Sequence, residues 1–166
     1  RELTRLEKQI VAVGPRVTDR LAPGLTAAEV DRLEERLGFG VPAQVRDWVQ
    51  WANGHVLGAF DAEDQAACLF PRGRQLDVET GIEVLSSRLT IMEDLHPAVL
   101  PPEHPLLLLE GDDESFLVDS GTQDGVVWLW SVIGDLFEPV YDSLADLVAN
   151  AIGLCERHLL RLDHLG

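Results

Sequence analysis

The chain has 166 residues, 46% of them hydrophobic and 25% charged, so it is expected to fold as a single soluble domain, residues 1–166, with a core of its own. Thirteen Lys/Arg against 29 Asp/Glu leave a net charge of −16. Such a surface repels nucleic-acid backbones and anionic membranes, and no apolar run approaches the length a bilayer requires, which argues against all three partnerships.

Leu3, Leu6, Ile10 and Val13 recur at helical spacing and predict an amphipathic helix ended by Gly14-Pro15. Val17 and Leu21 predict a short further helical turn before Pro23-Gly24. Residues 25–54 then read as two helices joined by a tight turn. Thr26 and Glu29 have capping-box spacing, with Leu25 and Val30 placed as a hydrophobic staple. Val30, Leu33 and Leu37 make one apolar stripe, and Gly38 ends it because glycine accepts the left-handed conformation. Pro42 suits the first turn of the second helix, whose stripe is Val45, Trp48, Val49 and Ala52. Asn53-Gly54 is expected to close that helix with a turn.

Residues 55–76 look irregular, with short strands expected near Val56 and at Cys68–Phe70. Asp77 can cap a helix carrying Val78, Ile82, Leu85, Leu89 and Met92 on one face. Pro97, Pro101, Pro102 and Pro105 mark a loop. The apolar period then changes. Leu106–Leu109, Ser115–Asp119, Val126–Trp130 and Phe137–Tyr141 predict four strands, antiparallel because their connections are too short for crossovers. Trp128 and Trp130 fall on one face of their strand and Val127 and Leu129 on the other, so the strand is covered on both sides or offers one face for binding. Ser143 and Asp146 open a last helix with Leu144, Leu147, Val148, Ile152 and Cys155 inward. Helices first, strands next and a closing helix predict an α+β fold: a mainly antiparallel sheet of about four to six strands with helices against it.

The search for chemistry yields little. Lys8 is the one lysine, which removes a phosphate-loop lysine and disfavours Schiff-base chemistry. No G-x-G-x-x-G, H-E-x-x-H or G-x-S-x-G occurs, and Ser120 reads as a turn residue. Cys155 and His158 stand three apart but lack further ligands at metal-site spacing; His96 and His104 are expected to be exposed. Cys68 and Cys155 do not make a disulfide framework. Arg1-Glu2-Leu3 has neither the charged region nor the apolar core of a signal peptide, so the expected compartment is the cytoplasm. No catalytic residue, metal or cofactor is expected.

Charge is the remaining signal. Residues 1–50 carry eight Lys/Arg and eight Asp/Glu, so the whole excess of sixteen negative charges lies in residues 51–166. No Lys or Arg occurs between Arg88 and Arg157. Two acidic runs stand out: Asp61, Glu63 and Asp64, and Asp112, Asp113 and Glu114 after Glu110. Each is either a solvated loop or an acidic contact patch for a basic protein. Trp51, off its helical stripe, is a contact candidate if exposed.

Leu33, Glu34, Leu37, Gly38, Val41, Pro42, Trp48, Asn53 and Gly54 are followed by Leu69-Phe70-Pro71, Leu107–Asp119, Val126–Trp130 and Ser143–Leu147. This order of blocks resembles the SUKH superfamily, named partly after a yeast regulator of cell-wall synthesis and rich in bacterial immunity proteins. The resemblance spans about residues 25–150, leaving 1–24 as an N-terminal helical extension. It implies structural roles for Leu33, Leu37, Gly38, Pro42, Trp48, Asn53, Gly54, Gly111, Asp119 and Trp128. It also implies a non-enzymatic protein-binding domain, of the immunity type, that neutralises a cognate toxin by occlusion, a basic nuclease being the expected kind. The alternative is a regulatory adaptor for a cellular protein, with no toxin.

Overall fold

The computed structural model describes residues 2–13, 21–55, 74–95, 101–111, 114–131 and 136–157. Their elements run α1 (Glu2–Val13), β1 (Leu21–Pro23), α2 (Ala27–Leu37), α3 (Ala43–Trp51), β2 (Ala52–His55), β3 (Arg74–Gln75), α4 (Val78–Leu95), β4 (Pro105–Glu110), β5 (Glu114–Asp119), β6 (Val127–Ser131), β7 (Leu136–Tyr141) and α5 (Leu144–Glu156). This is an α+β fold. The main sheet is antiparallel in the order β3-β4-β5-β6-β7, and β1 and β2 form a second, two-stranded sheet.

The four expected strands form within a residue of their predicted bounds. The main sheet is covered on both faces. On one side Leu106, Leu108, Leu109, Val118 and Val127 meet Leu6 and Ile10 of α1, Val30 and Leu33 of α2, Val45, Trp48 and Val49 of α3, and the whole predicted α5 stripe except Cys155, which is buried too. On the other, Leu107, Leu117, Trp130 and Phe137 meet Leu76 and Leu85 with α4 above them. A bulge between Leu107 and Leu109 lets Leu108 and Leu109 join the first cluster while Leu107 joins the second. Trp130 and Val127 therefore face opposite layers, and β6 is the two-sided strand expected of it.

Three local expectations are corrected. Leu21 is not in a helical turn: Leu21–Pro23 is β1, pairing antiparallel with β2. Three residues can satisfy a ladder but not a helical nucleus. Pro42 stands at the N-cap of α3, with φ −56° and ψ 151°, one position earlier than expected; its carbonyl accepts from Val45 and Arg46 at 2.9 and 3.0 Å. Asn53-Gly54 does not turn the chain back. It runs on as β2, ending at His55; Val56 and Cys68–Phe70 lie outside the described residues. β3 was not foreseen, because two residues carry no period.

Other expectations hold. Glu29 N–H donates to the Thr26 hydroxyl at 3.3 Å and Thr26 N–H to the Glu29 carboxylate at 2.7 Å, a complete capping box. Gly38 is left-handed at φ 76° and its N–H reaches the Glu34 carbonyl at 2.9 Å. Asp77 caps α4, accepting from Thr80 N–H at 3.0 Å. Ser143 caps α5, accepting from Asp146 N–H at 3.1 Å.

Candidate partner-binding surface

The α2–α3 hairpin is fixed by one carboxylate. Glu34, whose side chain is 19% exposed, accepts from Val41 N–H at 2.8 Å and from two guanidinium nitrogens of Arg46, Nε at 3.1 Å and Nη2 in a shorter contact. Arg46 also reaches Asp31 at 2.9 Å. Charge-assisted bonding from Arg46 holds the Glu34 carboxyl below the usual carboxylate range and raises the guanidinium further above its own. The Glu29 carboxyl is also lowered, first by the Thr26 N–H. The two lowered carboxyls therefore hold local structure. Arg46, the only cation of α3, is committed to α2 and gives the surface no net positive charge.

β2 joins the layers. Asn53 Oδ1 accepts from Val78 N–H, the first residue of α4, at 3.0 Å. Gly54 lies at φ 85° with its α-carbon pressed on the Leu76–Asp77 backbone; a Cβ there would come within 2.2 Å of Asp77 N. Gln75, almost fully buried, donates to the Ala52 carbonyl at 2.7 Å. The Asn-Gly pair thus caps and seats α4.

The expected contact residues separate. Asp61, Glu63, Asp64, Asp112 and Asp113 lie outside the described residues. Glu114, half-buried, begins β5 opposite Ser131, and its carbonyl accepts from Gly111 N–H at 2.9 Å to close the β4–β5 turn. Glu110, beside it, is tied to Arg88 on α4 at 2.5 Å, and Arg88 also lies over the Trp130 ring at 5.7 Å. Trp51 is not the bare anchor considered from sequence: it is half-buried, edge-on to the core Trp48 with ring centres 5.6 Å apart. Leu33 and Trp48 are core, and Leu37 packs against it. Asp119, buried, accepts from Gly121 N–H at 2.9 Å and shapes the β5–β6 turn. Ser120, in that turn, donates its N–H to the His104 carbonyl at 2.9 Å. His104 is half-buried rather than exposed, stacked on Phe39 at 4.4 Å; His96 and His158 lie outside the described residues. Trp128 is half-buried.

A second group of carboxylates was not singled out in the sequence. Gln44 Oε1 accepts from Ala145 N–H at 2.8 Å, bringing the starts of α3 and α5 together, and Gly125 of the β5–β6 turn lies beside Val45 and Pro42. Exposed Asp47, Asp124, Asp142 and Asp146 come from these same segments. They are scattered along the chain as single residues, so no run announced them. Exposed carboxylates on such segments can attract a cationic protein. Among the described residues no three His, Cys, Asp or Glu side chains are placed to share a metal ion, and no helix is long and apolar enough to cross a membrane.

Comparison with known proteins adds one match. The model of the SMI1 / KNR4 family (SUKH-1) covers residues 24–150. No curated protein matches the chain.

Proposed function

The chain belongs to the SMI1 / KNR4 family (SUKH-1), and on that premise we propose that it is a non-enzymatic protein-binding domain of the immunity type. Its partner is a basic protein, a toxin domain of the nuclease kind, which it neutralises by occlusion. The observation that carries this reading is the charge: a net −16, all of it in residues 51–166. Acidic side chains filling a groove built for phosphates would block a nuclease without any chemistry by the inhibitor. Complementary charge would give fast, oriented association. The exposed Asp47, Asp124, Asp142 and Asp146 join Glu114 and the acidic runs at 61–64 and 112–113 as the contributors.

The test is recovery of the partner. The tagged chain is purified from its own cells at low salt and eluted with rising salt. A basic domain recovered in stoichiometric amount and released by salt supports the reading. A neutral or acidic housekeeping partner moves the chain to the adaptor class. Hydrolytic activity of the pure chain, lost in Asp119→Asn, would overturn the non-enzymatic assignment.

A further inference from the structure

Four large apolar side chains of the described residues are conspicuously exposed: Val11, Ile91, Leu136 and Val140. The first two are single residues on separate helices, as any surface has. The other two share β7, at 47% and 40% exposure. β7 ends the main sheet: among the described residues its only strand neighbour is β6.

The strand is shaped to turn these groups outward. Register with β6 runs Ser131 to Leu136, Leu129 to Glu138 and Trp128 to Pro139, then slips so that Tyr141 faces Val127. Val140 is left with no residue opposite it, which is how a bulge re-aims a side chain. Glu138, Pro139 and Val140 are consecutively exposed where a strand on a core alternates. Half-buried Trp128 lies across from Pro139, and exposed Asp142 follows the strand. The result is an exposed strip on β7, Leu136 and Val140 with Glu138 between them and Asp142 after them, while Trp128 and Pro139 lie on the α4 face with Trp130 and Phe137; no Lys or Arg occurs between Arg88 and Arg157 to offset the carboxylates.

What covers the strip is constrained by charge. A second copy, also carrying −16, is repelled, and Pro139 and the bulge interrupt the backbone ladder that a β7–β7 pairing needs. We propose that the outer edge of β7 is the partner-docking surface, and that its occupant is an extended basic segment of a protein carrying aliphatic side chains. Leu136 and Val140 supply the apolar contacts, and Glu138 and Asp142 meet the flanking cations. The contact is made by side chains rather than by strand addition. This deepens the acidic-domain reading and rests on it.

The experiment pans a displayed library of random linear peptides against the full chain. An enriched peptide is then synthesised and titrated into isotope-labelled protein. Basic peptides with interspersed aliphatic residues should enrich, and they should shift the backbone signals of residues 136–142 and the methyl signals of Leu136 and Val140. Leu136→Ser with Val140→Ser should weaken binding about tenfold, and Glu138→Lys should weaken it while leaving the melting temperature unchanged. Basic peptides that bind the double variant as they bind the parent, or that shift only the β4–β5 turn at Glu114, overturn the β7 surface while leaving the basic-partner reading standing. Enrichment of neutral or acidic peptides, or of none, overturns both.

Discussion

Glu34 and Arg46 are twelve residues apart, and their pair shows how one carboxylate can hold two helices at a set angle. Glu34→Ala removes the acceptor for Val41 N–H and for a guanidinium at once. Hydrogen bonds to charged groups contribute about 1.5–3 kcal/mol, so urea unfolding at pH 7 should show a loss of that order. The effect depends on pH with a definite sign. The folded Glu34 carboxyl sits below its ordinary value of 4.5, so its contribution is complete above that value and is lost as pH falls through the folded one. The stability gap between the parent and Glu34→Gln should therefore be clear at pH 7 and shrink steadily below pH 4.5. A gap unchanged at pH 3 would show that the bonding is not that of an ionised carboxylate. Glycines 38 and 54 make a second residue-scale pair. Both have positive φ, but nothing lies within 4 Å of a Cβ at Gly38, whereas at Gly54 the Asp77 backbone does. Gly38→Ala should cost about 1–2 kcal/mol, the ordinary left-handed penalty, and Gly54→Ala several-fold more. Equal losses in thermal unfolding would refute the packing role of Gly54.

At the scale of elements, α1 lies outside the family-matched span yet is built into the core. Leu6 and Ile10 are fully buried in the same cluster as the α5 stripe, and Arg5 bridges to Glu156 at 2.6 Å. The exposed ion pair adds little. The apolar contacts decide the docking: Ile10→Ala should destabilise the chain by about 2–5 kcal/mol, and Arg5→Ala far less, both read by chemical unfolding. A reversed order would mean that α1 is held by charge. The capping box of α2 is a smaller, local contribution. Both of its bonds are exposed and made within four residues, which is why sequence alone could read it.

For the whole molecule, sixteen excess negative charges in one part of the chain set both stability and association. Self-repulsion opposes the compact state and is screened by salt. The melting temperature should rise as NaCl is added from about 20 mM to about 500 mM. Association with a cationic partner should move the other way, its on-rate falling as the same salt is added. A salt-insensitive on-rate would mean that charge does not steer the encounter.

The sequence by itself determined the features whose causes are local or periodic. Thr26 with Glu29, Gly38, Asp77 and Ser143 marked helix ends because capping bonds span only a few residues. The α5 stripe and the four strands were legible because burial on one face or two imposes a period. Ordered blocks with the same origins carried the family resemblance. Tertiary structure alone decided the rest. Asn53-Gly54 became a strand because its side chain and bare α-carbon serve α4, whose first residue, Val78, comes 25 residues after Asn53. Trp51 came to lie half-buried, edge-on to Trp48 in the core. Leu136 and Val140 became exposed because β7 fell at the edge of the sheet and slipped register at a bulge. The starts of α3 and α5 came together through Gln44 and Ala145, 101 residues apart. Contacts between distant segments leave no spacing in the chain, and only the folded geometry can place them.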